Sequence, residues 1–247
     1  MSKEKIQFIV TGASSHLGKA LVGIGLDRGH SVIAVSRRPT ALSNIAKANR
    51  LVQLTDMDLI DAAALDQLYD TVQKEFSESF GVINCTGYFP GYLEIGDLPV
   101  SEARKVMESN FLTVYGVAHA LLPLMIERGG GDIVNFTAHS QYQCYPKMGA
   151  FNSAKAAVEA FTVTLSNEYL HAGIRANCFA LATMLTLEER QMKPKGDHAK
   201  WLTPEEVALR AIELLERADP IVSGNIIQLF KHSDSYFGQS YLSRIAK

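Results

Sequence analysis

Short apolar runs alternate with helical patterns along nearly the whole chain, and this alternation constrains the fold more than any other feature. Strands are expected at residues 6–10, 31–35, 51–55, 80–84, 133–137, 174–179 and 226–230. Helices are expected from the first strand to about residue 28, over 61–76, over 100–127, from Gly149 onward, and after Thr203, which caps a helix with Pro204 in its first turn. Strands alternating with helices dictate an α/β fold: a doubly wound parallel sheet of about seven strands, covered by helices on both faces and joined by right-handed crossovers. In such sheets ligands bind beyond the carboxyl ends of the strands. The loops at Thr11, Ser36, Asn84, Ala138 and Ala180 belong to that end, and one crevice is expected to collect them.

The chain of 247 residues, 47% apolar and 20% charged, suits one domain over 1–247, with an irregular substrate loop at 180–200 and a polar tail at 231–247. A net charge of −2 leaves no basic footprint for nucleic acid. Three cysteines, Cys85, Cys144 and Cys178, form no C-x-x-C pair and suggest neither a disulfide framework nor a metal site. The first apolar segment is too short for a signal-peptide core and no run approaches a membrane span, so a reduced, cytoplasmic setting is expected.

Two stretches carry chemistry. Gly12, Ser14, His16, Leu17 and Gly18 lie in T-G-A-S-S-H-L-G directly after the first strand, where backbone can approach a pyrophosphate and a helix N-terminus favours its charge. The second strand then ends in Ser36-Arg37-Arg38 with no carboxylate; arginine there accommodates a 2′-phosphate, which favours NADP(H) over NAD(H). The other stretch is D-I-V-N-F-T-A-H-S-Q-Y-Q-C-Y-P-K-M-G-A-F-N-S-A-K, a strand, a polar loop and an alanine-rich helix bearing Lys155. Lysines are rarely fully buried, so Lys155 is either a surface residue with its stem along an apolar face or a lysine aimed at a ligand.

These segments together resemble the short-chain dehydrogenase/reductase family over nearly the whole chain. T-G-A-S-S-H-L-G is similar to the family's T-G-x-x-x-G-x-G, Asp58-Leu59 to its adenine-binding pair, N-C-T-G (Asn84 to Gly87) to N-N-A-G, and F-N-S-A-K to Y-x-x-x-K. Asn110, I-R-A-N and P-E-E-V-A also fall in register, and Thr186 keeps a later threonine position. The resemblance implies a Rossmann-like fold, a nicotinamide cofactor, a small-molecule substrate, and a homodimer or homotetramer formed through the helices carrying Asn110 and Lys155. It places Asn110 and Lys155 among the catalytic positions. It assigns cofactor contacts to Gly12, Ser14, His16, Leu17, Gly18, Arg37, Arg38, Asp58, Leu59, Asn84, Gly87, Lys155 and Thr186.

The chain departs from the family where protons move. The family's proton-exchanging tyrosine is Phe151 here, and its hydrogen-bonding serine is Ala138. The middle glycine of the first loop is His16, and the usual P-G after the sixth strand reads Leu181-Ala182. Losing a positioned general acid costs about 10²- to 10⁴-fold, and an oxyanion donor a similar order. Tyr145, Tyr142 and His139 lie in the loop after Ala138 and are candidate replacements. Lys155, without its tyrosine, is expected to serve the cofactor ribose. Three readings follow: an NADP(H)-dependent oxidoreductase with a non-standard proton donor or an activated C=N or C=C substrate, a silent NADP(H)-binding partner of an active paralogue, and a scaffold that has lost the cofactor.

Overall fold

A computed structural model describes residues 5–38, 50–217 and 222–231. Most of the expected 231–247 tail lies outside the described residues. Seven parallel strands form one sheet: β1 (Gln7–Thr11), β2 (Ser31–Val35), β3 (Leu51–Leu54), β4 (Phe80–Asn84), β5 (Gly131–Ala138), β6 (Ile174–Leu181) and β7 (Ile226–Leu229), in the order β3-β2-β1-β4-β5-β6-β7. The expected strands are all present, two of them with the expected bounds and the others with ends at most two residues away. The reversal of strand order between β1 and β4 is the switch point at which open α/β sheets bind ligands.

Alternation along the strands divides the core between two faces. Phe8 and Val10 of β1 pack with α1 (His16–Asp27) and α7 (Pro204–Arg217), through Leu17, Leu21, Val207 and Ile212. Ile9, between them, packs on the opposite face with Leu68 of α2 (Ala62–Glu75) and Leu121 of the helix that follows β4. A period of two puts successive side chains on opposite faces, so the inner strands are buried on both, while the edge strands β3 and β7 are only partly covered.

The helix expected over 100–127 is interrupted. It consists of α3 (Val100–Met107), a π turn (Glu108–Leu112) and α4 (Thr113–Glu127). Asn110 causes no break in pattern by itself, but its buried side chain donates to Val106 O at 2.9 Å and to Tyr88 O at 2.8 Å. Thr113 Oγ1 donates to Glu108 O at 2.9 Å. Side chains thus satisfy carbonyls that the wider turn releases, as at other π bulges near functional sites. Val100–Glu127 is long and apolar enough to cross a membrane by length and composition. Here its apolar face, including Val106, Val117, Leu121 and Leu124, is buried in the core.

The segment expected to be irregular, 180–200, holds one short α-helix between irregular stretches. β6 continues through Leu181, and α6 (Leu187–Met192) follows, capped by Thr186, whose Oγ1 accepts from Glu189 N at 3.1 Å. A bridge between Met184 and Leu202 anchors the segment. The lysine–glutamate pair four residues apart, Glu189 and Lys193, stabilises this short helix at 2.5 Å.

Candidate active site

The first cleft forms where β1 turns into α1. Gly12 has φ +63°, and a Cβ there would stand 2.7 Å from Cys85 O and 2.9 Å from Thr86 N. Gly18 is as tight, since a Cβ would lie 2.4 Å from Gly12 O. Ser15 caps α1 by accepting from Gly18 N at 2.9 Å. The loop therefore lies flat against the β4 turn and leaves its backbone open beside a helix N-terminus, a fit for a pyrophosphate. Gly12, Ser14, Arg37, Arg38, Asp58, Leu59 and Gly87 all line this cleft. Ser36 Oγ donates to Arg38 O at 3.1 Å and fixes the turn that presents the two arginines.

Four expected cofactor residues sit elsewhere. His16 turns outward, its Nδ1 3.7 Å from a Glu188 carboxylate oxygen on α6, which frees the cleft that a glycine would otherwise have to keep clear. Leu17 is buried in the core between α1 and α7. Asn84 is committed to a buried chain of side chains: it accepts from Thr11 Oγ1 at 3.2 Å and donates to Asn135 Oδ1 at 2.8 Å, and Asn135 donates to Thr162 Oγ1 at 2.9 Å. That chain ties β1, β4, β5 and α5 (Gly149–Tyr169) together beneath the cleft. Thr186 lines neither this cleft nor the next cavity and serves as the α6 cap.

Lys155 is not a surface lysine. It is 8% exposed, and its Nζ donates to Phe136 O at 3.1 Å. Burial pulls its pKa down from 10.5 to about 8. The Phe151 ring centroid lies 5.7 Å from Nζ, where the family resemblance places a hydroxyl-bearing ring. A Cβ on Gly87 would sit 3.8 Å from Nζ and 2.9 Å from Asn110 Oδ1, so Gly87 keeps open a gap that both polar groups face. Asn110 Oδ1 is buried with no hydrogen-bond partner among the described residues. An acceptor and a cation facing one open space fit the hydroxyl groups of a nucleoside sugar. Cys85 and Cys178 nearby remain thiols, since burial pushes both well up, Cys178 to about 12.

A second cavity opens beyond β5 and β6, so the expected single crevice is two spaces, with Gly87 on the wall of one and Phe89 on the wall of the other. Ala138, His139, Tyr145 and Phe151 line this second space. Ala138 contributes a methyl group and Phe151 a ring edge-on to Phe89 at 5.1 Å, so the inner end offers no hydroxyl at either family position. His139 is buried, meets the Tyr142 ring edge-on at 5.3 Å and pairs with Gln228; burial holds its pKa below 6.5, so it is neutral at pH 7. Tyr142 donates to Glu159 at 2.5 Å, and burial together with that carboxylate drives its pKa up, which makes it a poor acid. Tyr145 presents a phenol to the cavity from a loop in which Cys144 and Lys147 adopt left-handed φ of 46° and 67°.

Several lining residues escaped the sequence. Ser140, two residues beyond Ala138, faces the cavity and donates to Asn152 Oδ1 at 2.8 Å. Phe89, Tyr92, Glu189 and Lys193 complete the wall. The E-x-x-x-K spacing of the last pair was a helix signal inside a stretch that otherwise reads as loop.

A family model described as short chain dehydrogenase matches residues 7–195. An uncharacterized oxidoreductase of Schizosaccharomyces pombe is 32% identical over 162 residues, which cover 65% of this chain and 54% of that protein. The chain thus spans about half the length of that relative. An uncharacterized oxidoreductase of Staphylococcus aureus is 26% identical over 202 residues, 81% of this chain and 86% of that one. Among solved structures, a short-chain type dehydrogenase/reductase from Mycobacterium ulcerans superposes with TM-score 0.85 at 20% identity, covering 98% of this chain and 99% of that one. A 3-oxoacyl-[acyl-carrier protein] reductase from Brucella melitensis with bound NAD gives 0.80 at 22% identity, covering 92% and 91%. Identities this low carry the fold alone.

Proposed function

The chain belongs to the short-chain dehydrogenase family, and from that premise we propose that it is an NADP(H)-dependent oxidoreductase acting on a carbonyl or alcohol, or on an activated C=N or C=C bond, with a proton donor other than the family's tyrosine. When bound, the nicotinamide supplies or accepts the hydride. The chain's own residues do the rest: the Gly12–Gly18 loop and the α1 N-terminus receive the pyrophosphate, and Asp58 and Leu59 border the adenine side. Arg37 and Arg38 meet a 2′-phosphate, an interaction that guanidinium geometry favours. Lys155 and Asn110 orient the ribose beside Gly87.

The observation that carries this reading is the joint survival of the cradle and the buried Lys155, although the partner ring has become Phe151. An unpaired buried cation is costly, and a sugar hydroxyl beside it offsets that cost. Among the phenols lining the second cavity, Tyr145 is the proposed proton source, because the Tyr92 proton is held by Glu189; the Ser140 hydroxyl on the same wall is held by Asn152, and Tyr142, outside the wall, by Glu159. The test is turnover of a carbonyl panel with NADPH by the full chain. Activity that survives in wild type and falls about 10²-fold or more in Tyr145→Phe supports the assignment; an undiminished variant removes it.

One observation favours a second reading. Phe151 is packed edge-on to Phe89 with the Lys155 ammonium near its ring, a settled apolar arrangement in place of an acid. On that reading the chain binds NADP(H) without turnover and acts as the silent partner of an active paralogue. Either way, we propose self-association through α4 and α5: Leu112 lies exposed beside α4 and Tyr115 on it, Val163 is exposed on α5, and Tyr115 and Phe161 join the two helices at 5.4 Å. Sedimentation velocity giving a dimer or tetramer supports this interface, and a concentration-independent monomer eliminates it.

A further inference from the structure

The second cavity encloses about 540 Å³, the size of pockets that take drug-sized molecules, roughly 300–1,000 Å³. One wall is a row of rings: Phe89 meets Tyr92 edge-on at 5.0 Å and Phe151 at 5.1 Å. Edge-to-face and offset contacts are the arrangements aromatic rings favour, so such a row offers a further ring a ready partner. Ala138 and Phe151 replace two hydroxyls with a methyl group and a ring edge, which makes the inner end apolar. Beside this wall, Ile95 lies 83% exposed over Gly149, the neighbour of the wall residue Met148.

The charges at the outer end cancel. Glu189 and Lys193 pair at 2.5 Å, Tyr92 Oη donates to Glu189 at 3.3 Å, and Lys193 Nζ lies over the Tyr92 and Trp201 rings at 5.4 and 6.0 Å. His139, the other titratable base on the wall, is neutral. A phosphate or carboxylate entering here would have to displace Glu189 from Lys193 and then face that carboxylate at close range, and like charges this close repel. A neutral oxygen or nitrogen meets only hydrogen-bonding partners.

We infer that this cavity takes an uncharged aryl or fused-ring carbonyl compound, its ring against Phe89 and Phe151 and its distal polar end at Tyr92 and the Glu189–Lys193 pair. This rests on the proposal that the second cavity is the substrate site, and it enlarges the small carbonyl expected from the sequence.

Isothermal titration of the full chain without cofactor tests it, using 1-tetralone, a ring-carboxylated tetralone and acetoacetate. The expected result is 1-tetralone bound at least about tenfold more tightly than either anion, a factor that corresponds to about 1.4 kcal/mol. Phe89→Ala weakens tetralone by about 2- to 10-fold, the range of one aromatic pair. Glu189→Gln leaves Lys193 unpaired and moves the preference toward the carboxylated compound by about tenfold. Equal affinity for neutral and carboxylated rings, no tetralone binding, or an unaffected Phe89→Ala overturns the inference. A parallel NADPH titration keeps the two claims apart: tetralone binding without NADPH binding defeats the cofactor reading alone, and the converse defeats this one alone.

Discussion

Lys155→Met replaces a buried ammonium by an apolar chain of similar length, and burial sets the sign and the order of magnitude of the effect. Burial lowers the folded-state pKa from 10.5 to about 8. The folded protein therefore prefers neutral Lys155, and below about pH 8 it must carry a charge that the unfolded chain holds at no cost. Between those two values the unfolded state binds a proton that the folded state lacks, so wild-type stability rises with pH through that window. A displacement of this size corresponds to about 3 kcal/mol, taken as an order of magnitude. The methionine side chain has nothing to titrate, and the variant's loss of the hydrogen bond to Phe136 O is a pH-independent offset. Urea unfolding of both proteins, followed by circular dichroism from about pH 7 to about pH 10.5, isolates the contribution because other titrating groups cancel in the difference. Wild type should gain on the variant by about 3 kcal/mol across the series. A difference that stays flat with pH would refute the claim that Lys155 is buried with its charge unpaired.

Three further outcomes follow from the same geometry. Ala138→Ser combined with Phe151→Tyr restores both hydroxyls beside Lys155, and reduction of a simple ketone should rise by about 10²-fold or more in steady-state assays; no gain means that the pocket has diverged beyond its proton donor. Arg37→Ala should weaken NADPH by about tenfold through loss of a charge-assisted contact while leaving NADH affinity unchanged, as read by cofactor fluorescence; equal losses for both cofactors remove the 2′-phosphate role. Asn84→Ala strands Thr11 Oγ1 and Asn135 Oδ1 inside the core and should cost about 1–3 kcal/mol of unfolding free energy. A neutral outcome would show that the chain of amides from β1 to α5 is dispensable.

The sheet was readable because its inner strands are buried on both faces and appear as uninterrupted apolar runs such as Phe8-Ile9-Val10 and Gly81-Val82-Ile83. The glycine loop was equally legible, since the demand at Gly12 is made by backbone, and φ +63° admits little else. What stayed hidden depends on side-chain direction. Asn84 and Leu17 occupy motif positions, yet one looks along the sheet and the other into the core. His16 could face the phosphates or leave them, and Glu188, far away in sequence, accompanies the outward choice. The π turn at Glu108–Leu112 leaves the apolar pattern almost intact, so a single helix was the natural reading. The cavity wall at Tyr92, Glu189 and Lys193 joins segments separated by nearly a hundred residues, and no local pattern announces such a meeting.

The central claim is that the dinucleotide cradle persists although the acid beside it has been replaced. Titrating NADPH and NADH into the purified chain, with enhancement of nicotinamide fluorescence as the signal, tests it most directly. Saturable binding with NADPH preferred is the predicted result; no change in fluorescence up to about millimolar cofactor, a concentration at which even an interaction of about 4 kcal/mol would register, would contradict it.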